Sequence, residues 1–569
     1  MSFEKKKECI FIADYFYEQG VHGGAETCNK NLIESLEEVY GWKIQKINSS
    51  QIDISFIKNN KDKIFVIANF MFLKENARTY LSSTEDIKYI IYEHDHKYVT
   101  TNDPSKFPDM IIPPKYIINR EFYEKAKCVL AQSKLHAEII EKNLLLKNII
   151  NLSGNVWSGQ QIALLGEKLK KHNEKWSDTY SILYSQNQNK GMMEAIDVCK
   201  KRGWKYNTIP ASNYEDFLDN INKSNKIIFI PQWVETFSRV CVEAKILGCK
   251  VITNNLVGCF SEDWVVNNVG NDLLNELRAH SENIVTVFDK ILQLEIKDSF
   301  FYKTRIENEN KISVITSMYK GKRYLTKFLS NIERQTYCKE GEFIFAHAKS
   351  ETQDEEEQQI LDFINKNKHI NIKYFKLDTL PTVQESMNFM IEKAENDIIS
   401  IWNIDDDRKQ DSLEKLSSFF NLNQSVEIVY HDCYQTETEN ESFEYNSSSG
   451  LLYEHSTYDF SSENMIKCIP GPMPSWRKNI HRKVGNFDTT LKYAGDWDFW
   501  LRCVRSGCRF AKIGPIMGLY YFNPSGLSTS SDLNTKNERL LEERMIFIKN
   551  IDIFGEACYR KYRGYFNVE

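Results

Sequence analysis

Short apolar runs alternate with segments of helical spacing along most of this chain. Residues 9–13, 64–68, 89–92 and 128–133 are compact, β-rich apolar runs that predict buried strands. Between them, residues 27–36 place Leu32 and Leu36 on one face, as an amphipathic helix does. A second block opens near Trp176, with strands expected at 181–184, 226–231 and 250–253. A third opens at 311–317 and continues through 342–346, 371–375, 398–404 and 428–432. Helices are expected there at 324–332 and 383–394. Strands alternating with helices predict α/β domains built on parallel sheets. Between the second and third blocks, residues 289–310 are charged, predicted helical and free of a Gly/Ser linker, so the halves are expected to pack together. Residues 437–450, polar and Ser-rich, are the expected mobile loop. Residues 534–549 form a charged amphipathic helix suited to packing or to contact in a homo-oligomer. The domains expected are 1–150, 151–305, 306–530 and a helical tail at 531–569.

Composition narrows the class. At 569 residues the chain exceeds one ordinary core, and 41% hydrophobic and 13% aromatic residues suffice for packed domains. A net charge of −6 offers no basic footprint, which argues against nucleic acid as the main partner. No apolar run nears the roughly 18 residues of a membrane span, and Met1–Lys5 opens no signal peptide. The 13 cysteines are scattered without a CxxC pair, which fits reduced thiols in a cytoplasmic protein. Cys503 and Cys508 are expected to pack rather than to bind metal.

Candidate chemistry gathers at strand ends. The run at 398–404 stops in Asp405-Asp406-Asp407, three carboxylates that repel one another unless something positive sits among them. A divalent cation with oxygen ligands, its shell completed by a diphosphate, satisfies that need, and an exposed acidic turn is the alternative. The first strand leads through Gly23-Gly24 into a helix, a layout that lets backbone N–H groups approach a phosphate. Another strand ends in Glu93-His94-Asp95-His96, where open α/β sheets place ligands. Glu235 and Glu243 stand on a loop and on the helix it feeds, and can accept hydrogen bonds from hydroxyl groups of one ligand. Asp496 lies at the start of a helical segment, a position suited both to a helix cap and to a general base.

As a set, Gly23-Gly24-Ala25-Glu26, His94-Asp95, Ser133, Lys190-Gly191-Met192 and the block Glu235–Glu243 with Gly248 resemble a GT-B glycosyltransferase of glycosyltransferase family 4. That class is retaining and nucleotide-sugar dependent. The resemblance covers residues 8–290. It implies that Gly23 and Gly24 face the donor phosphates, Lys190 neutralises the diphosphate, Glu235 touches the transferred sugar, Glu243 the ribose, and His94 lies beside the reacting carbon. Over residues 311–530, Ser313-Val314-Ile315, Gln335-Thr336, the helix containing Asn388, the acidic stretch and Gly495-Asp496-Trp497-Asp498 resemble the inverting GT-A fold of glycosyltransferase family 2. This implies Mg2+ or Mn2+ at Asp405 and Asp407, donor contacts from Ser317, Asn388 and Asp406, and Asp496 as general base.

The fold implied is therefore α/β: an N-terminal GT-B of two Rossmann-like domains fused to a C-terminal GT-A domain. The function implied is a bifunctional glycosyltransferase that builds a surface polysaccharide, capsule or lipopolysaccharide. Nucleotide sugars are its donors and a glycan or lipid-linked glycan its acceptor. The implied location is the cytoplasm, with room for peripheral association at the inner face of the membrane. The alternatives are a single inverting transferase whose GT-B-like half only binds the acceptor, and a non-catalytic glycan-binding scaffold. The chain departs from the two patterns in three places. No cation stands among residues 183–188, before Lys190. No acid stands among residues 346–350. Asn403 occupies the place of the leading metal-motif acid.

Overall fold

The computed structural model describes residues 7–171, 176–210, 212–294, 296–297, 300–303, 309–448, 450–452, 460–527 and 529–568, with backbone alone at 176–178. The chain divides into two compact units, Met1–Ile112 with Tyr116–Thr304, and Arg305–Glu569 with Pro113–Lys115.

The first unit holds two parallel sheets. The first has strand order Lys43–Asn48, Glu8–Ala13, Ile64–Ile67, Lys88–Tyr92, Val129–Ala131, Ile149–Asn151. The second runs Lys250–Thr253, Ser224–Phe229, Trp176–Leu183, Lys205–Ile209. The central strands are apolar on both faces because helices cover both; Ile10, Phe65, Ile67, Ile90 and Ile91 are fully buried. The helix Gly270–Leu292 returns from the second sheet to the first, where Ile284, Phe288 and Ile291 join the core beneath Tyr92 and Leu130. Trp42 donates its indole N–H to Asp289 at 2.8 Å and holds that return in place. Of the seam expected to be helical, only its start belongs to this helix. Residues 295, 298–299 and 304–308 lie outside the described residues, as do the expected boundary at 305 and Ser449 of the expected mobile loop.

The second unit is built on one mixed sheet. Asn371–Lys376, Glu342–His347, Ile312–Met318 and Ile398–Ile401 run parallel, and Ser475–Arg477 then pairs antiparallel to Ile398–Ile401. Beyond it lie Ile428–Thr436, Phe510–Tyr521 and the two-residue strand Asp407–Arg408. The strand expected over 398–404 ends at Ile401. Asn403–Asp406 forms a turn, closed by Asp406 N–H donating to Asn403 O at 3.2 Å. The tail is two helices, Leu533–Lys549 and Ile551–Tyr562, and its Ile546, Phe547, Phe554 and Phe566 enter the same core as Trp497 and Trp500. Among the described residues, no helix is long and apolar enough to cross a membrane. All 13 cysteines are free thiols, and Cys503 and Cys508 are buried.

Candidate functional site

Each unit carries a cavity at the carboxyl ends of its strands. In the first unit the cavity, of ≈ 590 Å³, takes Gly23, Gly24, Glu26, His94, Asp95, Lys190, Glu235 and Arg239 into its lining. Gly23 caps the helix Gly24–Tyr40, so that the first N–H groups of this helix open toward the cavity. Lys190 ends a tight turn after the strand Trp176–Leu183, and its Nζ lies 2.6 Å from Glu235 Oε1. The imidazole of His94 is spoken for at both nitrogens: Nε2–H donates to Asn29 Oδ1 at 2.8 Å, and Nδ1 accepts from Gln132 Nε2. Burial, with the Lys97 ammonium nearby, pushes its pKa down to about 3, so the ring is neutral. Asp95 is exposed, and the Lys97 ammonium at 2.9 Å holds its carboxyl below the usual range.

Two features of this cavity correct the expectations. Glu243 is not part of the described lining. It is 2% exposed, and Trp157 Nε1 and Tyr214 Oη both donate to its Oε1 at 2.9 Å. Both donors fall on the one oxygen, Oε1, which fixes the carboxylate against Trp157 and Tyr214. The cation missing ahead of Lys190 has a counterpart that arrives from elsewhere. Arg239 lines the cavity, anchored through Val156 O at 2.7 Å and Gln161 Oε1 at 3.0 Å, with its guanidinium over Trp157. The residue before it, Ser238, also lines the cavity and holds φ at +73°, a left-handed conformation that costs a non-glycine residue on the order of 1–3 kcal/mol.

In the second unit a cavity of ≈ 520 Å³ brings Asp405 and Asp496 onto one wall, with Asn403, Gln384, Tyr521 and Asn523. Asp405 leaves the turn after Ile401 and accepts one bond, from Asn523 Nδ2 at 3.2 Å. Asp496 stands in the first turn of the helix Gly495–Arg505. Its Oδ1 accepts Trp497 N–H at 2.8 Å, and the Cys468 thiol faces its Oδ2 at 3.8 Å. Burial raises both carboxyls above their usual range. Gly495 is required by a neighbour: a Cβ there would lie 2.6 Å from the Gln384 amide, which packs against that turn.

The three consecutive acids have different surroundings. Asp406 is sealed behind the wall, with Oδ1 accepting Tyr521 N–H and Oδ2 accepting Asn403 Nδ2, each at 3.0 Å. Burial first, and the charge of Asp405 second, raise its pKa well above the usual value, and the buried Arg408 partly offsets them. Asp407 is 1% exposed. Its Oδ2 accepts Phe443 N–H at 2.8 Å and lies 3.6 Å from Lys327 Nζ. The described lining includes neither Asp406 nor Asp407. Asp407, expected to share a metal with Asp405, stands past the turn in the strand Asp407–Arg408 and meets Phe443 N–H and Lys327 instead of the cavity. Asp406, expected to contact the donor, instead props the wall.

Asn388 and Ser317 also stand apart. Asn388 exchanges two hydrogen bonds with the backbone of Phe487, at 2.9 and 3.0 Å, which ties its helix to the loop before Asp488. Its neighbours Val383, Gln384 and Met387 are the ones on the cavity face. Ser317 sits on the strand Ile312–Met318 outside the described lining. The residues missed from the sequence are Tyr521 and Asn523, at and just past the end of a strand hidden by Gly514, Pro515 and Gly518, and Arg239, which lay inside a motif that assigned it no role. Among the described residues, no group of three or more His, Cys, Asp or Glu side chains is placed to hold a metal ion.

No family model matches the chain. Over 161 residues it is 25% identical to the uncharacterized glycosyltransferase YwdF of Bacillus subtilis (strain 168). The match takes in 27% of this chain and 56% of that protein, so the chain spans little more than half the length of the curated relative it matches. Among solved structures, residues 1–349 of S. aureus TarS are similar at 17% identity, covering 44% of this chain and 72% of that one, with a TM-score of 0.35. The mannosyltransferase PcManGT from Pyrobaculum calidifontis, in complex with GDP-Man and Mn2+, is similar at 13% identity, covering 44% and 68%, with a TM-score of 0.34. The sequence similarity is thus to a glycosyltransferase, and the fold is mixed α/β with parallel sheets.

Proposed function

We propose that the chain is a nucleotide-sugar-dependent glycosyltransferase with two heads, an inverting GT-A-like C-terminal unit and a retaining GT-B-like N-terminal unit. Acting in sequence on a glycan or lipid-linked glycan, they extend a surface polysaccharide. One observation carries the reading: Asp405 and Asp496, far apart in the chain, line the same cavity, and among the described residues neither carboxylate is given an ion pair within 4 Å. Asp496 accepts the proton of the acceptor hydroxyl as that oxygen attacks the anomeric carbon. Trp497 N–H, bonded to Oδ1, fixes the carboxylate, and Oδ2, which meets only the weak thiol donor of Cys468 among the described contacts, is the receiving oxygen. Asn523 orients Asp405 in the same way.

The donor set at Asp405 fits Mg2+ or Mn2+. One carboxylate and a neighbouring amide are hard oxygen donors, and an ion of this kind takes one or two carboxylates and completes its shell with phosphates and water. Bound there, it supplies charge that stabilises the diphosphate leaving group. Asp405→Ala is expected to lose most Mn2+ binding measured by calorimetry with a nucleoside diphosphate present. Asp407→Ala is expected to keep that binding and to lower stability by about 1–3 kcal/mol, because Phe443 N–H loses its acceptor. Equal loss of Mn2+ binding in both variants would restore Asp407 as a ligand.

In the first unit, Lys190 and Arg239 are the cations at the cavity, with the helix N-terminus at Gly23-Gly24 opposite, and together they suit a diphosphate. The Lys190–Glu235 ion pair and the occupied nitrogens of His94 favour a second reading, in which this unit only holds the acceptor. Lys190→Ala separates the two. Under the first reading one of two transfer products, resolved by mass spectrometry with a panel of nucleotide sugars, disappears. Under the second, a single product persists and only the acceptor KM rises.

A further inference from the structure

The segment that delivers Asp496 to the cavity is held from outside by the C-terminal helix. Three consecutive backbone N–H groups, of Lys492, Tyr493 and Ala494, converge on the carboxylate of Glu542 at 2.7, 2.8 and 3.1 Å. Consecutive N–H groups turned to one side form an anion-binding nest, and here the anion is a side chain of the same protein. One turn earlier on the helix Leu533–Lys549, Glu538 accepts Tyr493 Oη at 2.7 Å and Lys492 Nζ at 3.4 Å. Near the helix end, Lys549 Nζ donates to Asp498 Oδ1 at 3.1 Å, while Arg502 Nε donates to Asp498 Oδ2 at 2.7 Å. Buried Ile546 and Phe547 seat the helix in the core between those contacts.

This arrangement has a consequence for the cavity. Lys492 and Tyr493 line it, and Asp496 follows within the next turn of chain. The segment 485–494 has little regular structure of its own, so its backbone N–H groups need partners from elsewhere. A charged acceptor shared by three donors is a stronger and more directional hold than neutral turn bonds.

We infer that Glu542 is a positioning residue for transfer by the C-terminal unit: through the N–H groups of Lys492, Tyr493 and Ala494 it sets where Asp496 stands in the cavity. The inference rests on Asp496 being the base. Glu542→Gln in the full chain keeps the size of the side chain and replaces one acceptor oxygen by a donor facing an N–H. We expect kcat to fall about 10- to 100-fold with the donor KM within about twofold, since small misplacements of a reacting group carry penalties of that size. Amide hydrogen exchange at residues 492–494 is expected to rise while the rest of the unit stays protected. Glu538→Gln, at an exposed position, is expected to show the same pattern at smaller amplitude, which keeps the test valid should Glu542→Gln fold poorly. An unchanged kcat in both variants, or faster exchange at 492–494 with an unchanged kcat, would overturn the inference. Failure of the underlying reading shows separately, as transfer retained by Asp496→Asn while the exchange result stands.

Discussion

Replacing Asp496 by Asn is expected to cut transfer by the C-terminal unit about 10²–10⁴-fold in kcat, the range that a positioned general base contributes, without loosening the fold. The amide keeps an oxygen to accept Trp497 N–H, now at 2.8 Å from Oδ1, but cannot take a proton at neutral pH. Stability is expected to hold or to rise. Burial raises the carboxyl of the folded protein above its unfolded value of 3.8. A group raised in this way contributes fully below its unfolded pKa, and that contribution is lost as pH rises through the folded pKa. At neutral pH the ionised, half-buried Asp496 is therefore a net cost, which a neutral amide removes. The same shift sets the rate profile. As a base Asp496 must be ionised, so kcat/KM falls as pH drops through a value above the ordinary carboxylate range. Steady-state kinetics across pH, with thermal melts of both proteins, check each part. A variant that melts lower and loses activity in proportion would mark Asp496 as structural.

Gly191→Ala is expected to have the largest effect on stability, unfolding or nearly unfolding the second sheet of the first unit. Gly191 holds φ at +69° between the turn Gln188–Lys190 and the helix Met192–Arg202. A left-handed φ alone costs an L-residue roughly 1–2 kcal/mol. The decisive term is steric: a Cβ at this position would lie 1.6 Å from Ile230 O, a backbone atom at the end of the neighbouring strand that cannot step aside. The close approach also explains how Lys190 is delivered to Glu235, since the turn must nest against that strand end. A loss exceeding about 4 kcal/mol is expected, in the class reserved for overpacking against backbone. Urea unfolding of the full chain would show an early transition for the first unit, while transfer at Asp496 persists. A single unshifted transition would refute the steric argument.

Much of the architecture was legible from local pattern. Period and length marked the central strands of each unit, because strands buried on both faces must be short and apolar. The edges were less legible. Lys43–Asn48 is an edge strand with four polar residues of six and none buried, and Phe510–Tyr521 carries Gly514, Pro515 and Gly518, residues that ordinarily interrupt strands. That strand pairs with Asp407–Arg408 and places Tyr521 and Asn523 beside the acids, so overlooking it also hid how those acids are held.

The sequence by itself determined which residues carry charge, which runs must be buried, and that acids, glycines and a lysine stand at strand ends where ligands bind. Only the tertiary structure decided how those groups are shared out. Adjacent carboxylates at 405–407 go to a cavity, a backbone N–H and a lysine respectively, because the chain turns at 403–406 before it enters the strand Asp407–Arg408. Glu243 is closed off by Trp157 and Tyr214, and Asp496 is reached by way of Glu542; those partners are remote in sequence, and only folding sets their distances. Local spacing can propose a carboxylate, but whether it faces solvent, substrate or another side chain depends on contacts between residues that share no local pattern.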